Sequence, residues 1–191
     1  MSEAAADDAR ARAATALPAS PAVAGPADKA DEVASLFISL AQQTLNVLAA
    51  DGRTLANYSV STAANGPGEC IDSGCTPRGW HRVRARIGAS MPENTVFRGR
   101  RPTGEIYTPE LAQAFPQRDW ILSRILWLSG CEPGRNRLGQ VDTMRRYIYI
   151  HGAPDSAPMG IPASHGCIRM RNADIVELFE RVPPYLPVLI D

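Results

Sequence analysis

The sequence predicts a mainly β sandwich or barrel with a few short helices, on three observations. Short runs rich in Leu, Ile, Val and Tyr recur along the chain, separated by glycine and proline. One of them, Trp80 to Ile87, alternates Arg82, Arg84 and Arg86 with Val83, Ala85 and Ile87. That period of two marks a half-buried strand with three arginines on its wet face. Helical character, by contrast, is confined to two short stretches.

Residues 1–34 are rich in Ala, Pro and Asp without apolar periodicity, and read as a disordered tail ahead of one domain over 35–191. Ordered sequence is expected from about Leu36. Thr44–Leu48 and Thr54–Val60 read as strands joined through Asp51-Gly52, a strong hairpin signal. Residues 61–79, with Gly66, Gly68, Gly74, Gly79, Pro67 and Pro77, form a long loop. Pro109–Phe115 predicts one short helix, and Ile121–Leu128 and Tyr147–Ile150 two further strands. Ile175, Leu178, Phe179 and Val182 recur at helical spacing, with Asn172 as N-cap and Pro183-Pro184 as the stop. Pro187–Ile190 closes the chain as a strand. There is no internal repeat.

Charge is balanced, with 20 Lys+Arg against 20 Asp+Glu. That argues against a strongly basic nucleic-acid or membrane-surface binder. Lys29 is the only lysine, so cationic contacts fall to arginine, which grips carboxylates bidentately. No run approaches the ~20 apolar residues of a membrane span. The start, Met1-Ser2-Glu3-Ala4-Ala5-Ala6-Asp7-Asp8, is acidic where a secretory signal is basic. A cytoplasmic protein is therefore expected, or a periplasmic one if a leader has been removed. Cys70, Cys75, Cys131 and Cys167 are too few for a disulfide scaffold. Cys70 and Cys75 could pair, or join His81 on zinc, but the spacing and the want of a fourth ligand favour reduced thiols. No metal and no cofactor is expected.

Residues 151–171 hold the chemistry. Two of the three histidines lie there, His151 and His165, and Cys167 follows His165-Gly166 directly. A thiol needs a nearby base to become a nucleophile, and a small neighbour so that an acyl group can approach. Tyr147–Ile150 runs straight into His151-Gly152, which places a base at a strand end with its ring open to a cleft. Ser164-His165-Gly166 forms a turn presenting Cys167, and backbone N–H groups near Gly166 and Cys167 can make an oxyanion hole. His165 either supports that turn or takes part directly. Trp80 and Tyr147 belong to core or cleft wall, and His81 packs locally.

Ser164-His165-Gly166-Cys167-Ile168-Arg169, preceded by His151-Gly152, resembles the signature of the L,D-transpeptidase catalytic domain (YkuD-type) family. The resemblance extends over roughly 36–191 through Val60-Ser61-Thr62-Ala63, Thr76-Pro77-Arg78-Gly79-Trp80-His81 and Arg145-Arg146-Tyr147. It implies a mainly β domain whose cysteine attacks an L,D-peptide bond in peptidoglycan stems. Cys167 would be the nucleophile and His151 the base; Ser164, His165, Gly166 and Gly152 would shape the turn and oxyanion site. Arg169, at a position where family members carry asparagine or arginine, would bind a substrate carboxylate. Arg171 is either a site residue or a solvated charge.

The family's first half-reaction releases D-Ala and leaves a thioester; the acceptor then decides the activity. Water gives an L,D-carboxypeptidase of murein tetrapeptides or muropeptides, as in a cytoplasmic recycling branch, and the acidic N-terminus leads us to expect that branch. A stem amine gives a 3→3 crosslink and a D-amino acid gives exchange. β-Lactams of the carbapenem type would acylate the same thiol. A non-catalytic peptidoglycan-binding protein is the alternative from another class.

Overall fold

The computed structural model describes residues 32–191, so nearly all of the expected tail over 1–34 lies outside the described residues. The order is β1 (Ser35–Ser39), β2 (Thr44–Leu48), β3 (Thr54–Ser59), β4 (Gly79–Ile87), β5 (Thr95–Arg98), β6 (Arg101–Ile106), α1 (Pro109–Ala114), β7 (Ile121–Gly130), β8 (Tyr149–Ala153), β9 (Ile168–Arg171), α2 (Asn172–Arg181) and β10 (Pro187–Ile190). All ten strands join one sheet in the order β3-β2-β1-β10-β4-β7-β5-β6, which forks at β7 to carry β8 and then β9. Two pairs, β1–β10 and β8–β9, are parallel. Ser61 exchanges both backbone bonds with Arg169, so the chain leaving β3 meets β9 and the sheet curls on itself.

Alternation explains where the core sits. Leu36 and Ile38 of β1, Leu45 and Val47 of β2, Ile150 of β8, and Ile168 and Met170 of β9 all turn inward and are fully buried. They meet Ile175, Leu178 and Phe179 of α2 in one cluster. At ~1.5–3 kcal/mol for each large aliphatic or aromatic side chain removed from water, this cluster is the main stabilising element. No described helix is long and apolar enough to cross a membrane.

Several expectations need correction. β1, β5, β6 and β9 carry no clear sequence signal, because they are only four to six residues long. The strand expected at Tyr147–Ile150 starts two residues later and runs on to Ala153; Tyr147 has φ +57° and turns the chain into it. Arg82, Arg84 and Arg86 do not share one wet face, because the ladder between β4 and β7 shifts register after Val83. Arg86 instead lies against the Phe179 ring, 4.3 Å from its centroid, and donates to the Phe179 carbonyl. Asn172 is not a cap. Arg171 holds the N-cap position without a side-chain bond, and Asn172 is the first helical residue.

The Asn172 side chain goes where the core needs a polar bracket. β7 bulges at Ser123, whose φ is +64°. There Ser123 Oγ donates to Asn172 Oδ1 at 2.6 Å, and Asn172 Nδ2 donates to Asn94 Oδ1 at 2.8 Å. Gly152 of β8 lies directly against this bracket: a Cβ there would come within 2.4 Å of Asn172 Oδ1 and 2.7 Å of the Leu122 carbonyl. Only glycine fits that approach.

A second buried polar cluster joins β4 to the loop after β7. His81 is 1% exposed, with Nδ1 2.9 Å from the Gly79 carbonyl and Nε2 3.1 Å from Thr143 Oγ1. Burial pushes the imidazole down to about 4, against the opposing pull of the Gly79 bond. In acid the unfolded chain therefore takes up the proton first. Stability is full above about pH 6.5 and falls as pH drops towards 4, by at most about 3 kcal/mol from this residue. Thermal melts between pH 7 and 4 should show Tm falling through that window. His81→Gln should flatten the slope, and a slope the substitution leaves unchanged would remove His81 from the effect.

Candidate active site

Period two divides β8 and β9 between structure and chemistry. Ile150, Ile168 and Met170 enter the core, so Tyr149 and His151 on β8, with Arg169 on β9, face the other way. The parallel register pairs Ile150 with Ile168 and His151 with Arg169. Cys167, one residue before β9, is thereby delivered beside Tyr149. The Tyr149 N–H points to Cys167 Sγ at 3.4 Å, and Sγ lies 3.5 Å from the Tyr147 carbonyl.

Cys167 opens on a cleft of 320 Å³ walled by Arg100, Asp119, Ile121, Tyr147, Tyr149, Ser164, His165 and Arg169. His151 lies on that side but is buried, not open to the cleft as expected. It is the middle residue of β8 and is 1% exposed, because β8 continues through Ala153 with strands on both sides. Its Nδ1 lies 2.8 Å from the Gly152 carbonyl. An acceptor there requires the proton on Nδ1, which leaves the Nε2 lone pair free to accept one.

The nucleophile turn is held from three sides. Ser164 Oγ donates to the Cys167 carbonyl at 2.6 Å and accepts from the Gly166 N–H at 3.2 Å. Gly166 has φ +131°, and its own carbonyl accepts from Thr76 Oγ1 at 2.9 Å. A Cβ on Gly166 would stand 3.3 Å from the Cys75 carbonyl, so strain and crowding both require glycine. The Gly166 N–H, expected in the oxyanion site, is thus turned to Ser164. His165 projects outward with its side chain 81% exposed.

Arg146 fastens the long loop behind this turn, donating to the carbonyls of Gly68, Glu69 and Cys75 at 3.0, 2.9 and 2.6 Å and to Ser73 Oγ at 3.2 Å. Sequence reasoning missed this role, since one arginine among nineteen others of its kind or charge carries no signal. It also missed Arg100, which stacks over Trp127 and Tyr147 and donates to the Tyr149 hydroxyl at 3.1 Å. Asp119 was hidden as well, standing alone between Arg118 and Trp120.

Arg169 lines the cleft, but its guanidinium is already engaged. Nη2 donates to Asp119 Oδ1 at 2.7 Å and Nη1 to the Ala163 carbonyl at 3.1 Å. Arg171 lies outside the cleft, holding the carbonyls of Asp155 and Ala157. All four cysteines are free thiols, and no described group of His, Cys, Asp and Glu is placed to hold a metal.

Burial governs the protonation of the pair. It pushes the Cys167 thiol from 9.0 up to about 12, although the Tyr149 N–H favours the thiolate. It also holds the His151 imidazole below its usual value, against the Gly152 bond and Asp119. At neutral pH the site therefore rests as thiol and neutral imidazole. A standing thiolate is disfavoured.

Residues 34–190 match the model of the L,D-transpeptidase catalytic domain (YkuD). A 38-residue stretch is 50% identical to the probable L,D-transpeptidase YbiS of Escherichia coli K12, spanning 20% of this chain and 12% of that protein. Among solved structures, Bd1075 of Bdellovibrio bacteriovorus aligns with a TM-score of 0.52 at 16% identity, over 84% of this chain and 48% of that one. L,D-transpeptidase 3 from Mycobacterium tuberculosis, in complex with a faropenem-derived adduct, aligns with a TM-score of 0.50 at 17% identity, over 82% of this chain and 59% of that one. These two share the curled β fold. The alignments span about half of each neighbour's length, and a much smaller part of the E. coli protein.

A thiol titrating near 12 should be alkylated slowly by iodoacetamide at pH 7. Its rate should then climb about tenfold per pH unit through pH 10, as the thiolate fraction does. Peptide-resolved mass spectrometry separates Cys167 from the exposed Cys70 and Cys131. A plateau below pH 8 would show a resting thiolate instead.

Proposed function

This chain belongs to the L,D-transpeptidase catalytic domain family, and from that premise we propose that it removes the terminal D-Ala from peptidoglycan stem tetrapeptides. The reading makes it a murein L,D-carboxypeptidase that works through a thioester on Cys167. One observation carries it: Cys167 opens on the cleft with a buried neutral histidine, His151, on the adjacent strand. That is a thiol nucleophile with a base whose free lone pair is assigned by its own backbone bond.

As Sγ attacks the carbonyl of the L-centre of the penultimate residue, His151 Nε2 takes the thiol proton. The carbon–nitrogen bond then breaks, the proton passes to the leaving amine of D-Ala, and a thioester remains. Water, deprotonated by His151, attacks that thioester; the carbon–sulfur bond breaks and Cys167 regains its proton. Concerted transfer suits a thiol raised by burial, since no free thiolate has to form first. With the Gly166 N–H turned to Ser164, the Cys167 N–H is the remaining backbone donor for the oxyanion. A donor of this kind supplies ~3 kcal/mol. Ser164, His165, Gly166 and Gly152 position these groups, and Arg169 offers charge to a substrate carboxylate.

We propose that the reaction takes place in the cytoplasm, on soluble muropeptides. Fractionation of the untagged full-length protein tests that placement, and recovery from the envelope would favour the second reading. That reading is transfer of the acyl group to an amine, giving a 3→3 crosslink or D-amino acid exchange. It is favoured by the name of the E. coli relative, a probable L,D-transpeptidase.

Incubation with a disaccharide tetrapeptide should release D-Ala, followed by mass; a tri-tetrapeptide dimer would identify the transferase instead. Cys167→Ala should abolish either product, and His151→Ala should lower turnover by at least ~10²-fold. By analogy with the faropenem-derived adduct of the M. tuberculosis structure, meropenem should add its mass to the wild type and not to Cys167→Ala. Wild-type turnover by Cys167→Ala would overturn the mechanism.

A further inference from the structure

Asp119 is the only acid on the wall of the Cys167 cleft, and it also borders the two neighbouring depressions, of 630 and 220 Å³. It stands in the loop between α1 and β7, with its side chain 47% exposed. Burial is the largest single influence and pushes its carboxyl up, but the Arg169 guanidinium, His151 and His165 together outweigh it and hold the carboxyl below the usual range. The group facing the cleft is therefore a carboxylate.

One of its oxygens is hydrogen-bonded and the other makes only a longer ionic contact. Oδ1 accepts from Arg169 Nη2 at 2.7 Å, while Oδ2 is 3.7 Å from His165 Nδ1, beyond hydrogen-bond reach. A carboxylate has about four acceptor positions, so Asp119 retains acceptor capacity on the wall of the cleft that Cys167 also lines. The other ionic groups on this wall, Arg100 and Arg169, are cationic. A ligand cation entering the cleft has one partner there, and that partner is held in place by Arg169. If Asp119 served only to neutralise Arg169, nothing in the cleft would distinguish an amine from its acylated form.

We propose that Asp119 is a substrate-binding residue that receives a primary ammonium group, carried on the side chain of the peptide acyl donor or on an amine acceptor. The inference rests on the acyl-transfer reading above and names a chemical requirement of that site. It makes the cleft selective for peptides that carry a free side-chain amine, and selective against those in which that amine is already acylated. Arg169 then acts as the positioning residue that orients the carboxylate.

The test compares a tetrapeptide bearing a free side-chain ammonium with the same peptide N-acetylated at that amine. For wild type, kcat/KM for D-Ala release should favour the free amine by about tenfold or more, the range of a charge-assisted hydrogen bond. Asp119→Asn should collapse the ratio towards one and Asp119→Glu should restore part of it, which a merely structural role would not do. Intact-mass measurement of the thioester locates the source: a preference seen in acylation assigns the ammonium to the donor. A preference seen only in transfer to an added amine, compared with its neutral hydroxy analogue, assigns it to the acceptor. Equal use of charged and uncharged partners in both steps, or a ratio that Asp119→Asn leaves intact, overturns the proposal. Failure of wild type to turn over either peptide would instead overturn the function on which it rests.

Discussion

Parallel pairing of β8 with β9 is the constraint from which the rest of the site follows. Setting Ile150 beside Ile168 puts both into the core, and the pleat then sends His151, Tyr149, Cys167 and Arg169 to the opposite side. A one-residue slip would exchange the two sets, placing an arginine in the core and the isoleucines in the cleft. Burial of the aliphatic residues therefore sets the geometry of the reactive ones. Packing of α2 over β7, β8 and β9 reinforces this, because Ile175, Leu178 and Phe179 lie against the same apolar face.

Polar brackets refine what burial begins. The contact of Asn172 with Ser123 and Asn94 presses on Gly152, and the Gly152 carbonyl in turn orients the imidazole of His151. On the other side, Arg146 gathers the 68–75 loop, while Thr76 reaches the Gly166 carbonyl. Both sides converge on one short segment between β8 and β9. The electrostatic result is a candidate pair, Cys167 and His151, kept neutral by burial, beside a wall whose charges are balanced between Arg169 and Asp119.

Much of this was legible from local pattern, and the exceptions have physical causes. The Asp51-Gly52 hairpin, the short helix at Pro109 and the helical spacing of Ile175, Leu178 and Phe179 all appear as read. Local chemistry decides those elements. Asn172 misled because an N-cap and a buried amide bracket use the same residue type, and only the bulge at Ser123 distinguishes them. Tyr147–Ile150 misled because β-rich composition does not locate the partner strand that sets where β8 begins. Asp119 and Arg100 gave no signal, since their hydrogen-bond partners in the site, Arg169 and Tyr149, lie 50 and 49 positions away along the chain.

By itself the sequence determined the mainly β class, the family resemblance and the pairing of Cys167 with His151 as candidate nucleophile and base. These depend on residue type and short spacing, which the chain states directly. Only the tertiary structure decided that His151 is buried rather than open to the cleft, that the Gly166 N–H is turned to Ser164, and that Asp119 holds Arg169. Each of those depends on which strand lies beside which. That is set by the free energy of burying distant apolar residues together, and no local window of sequence contains it.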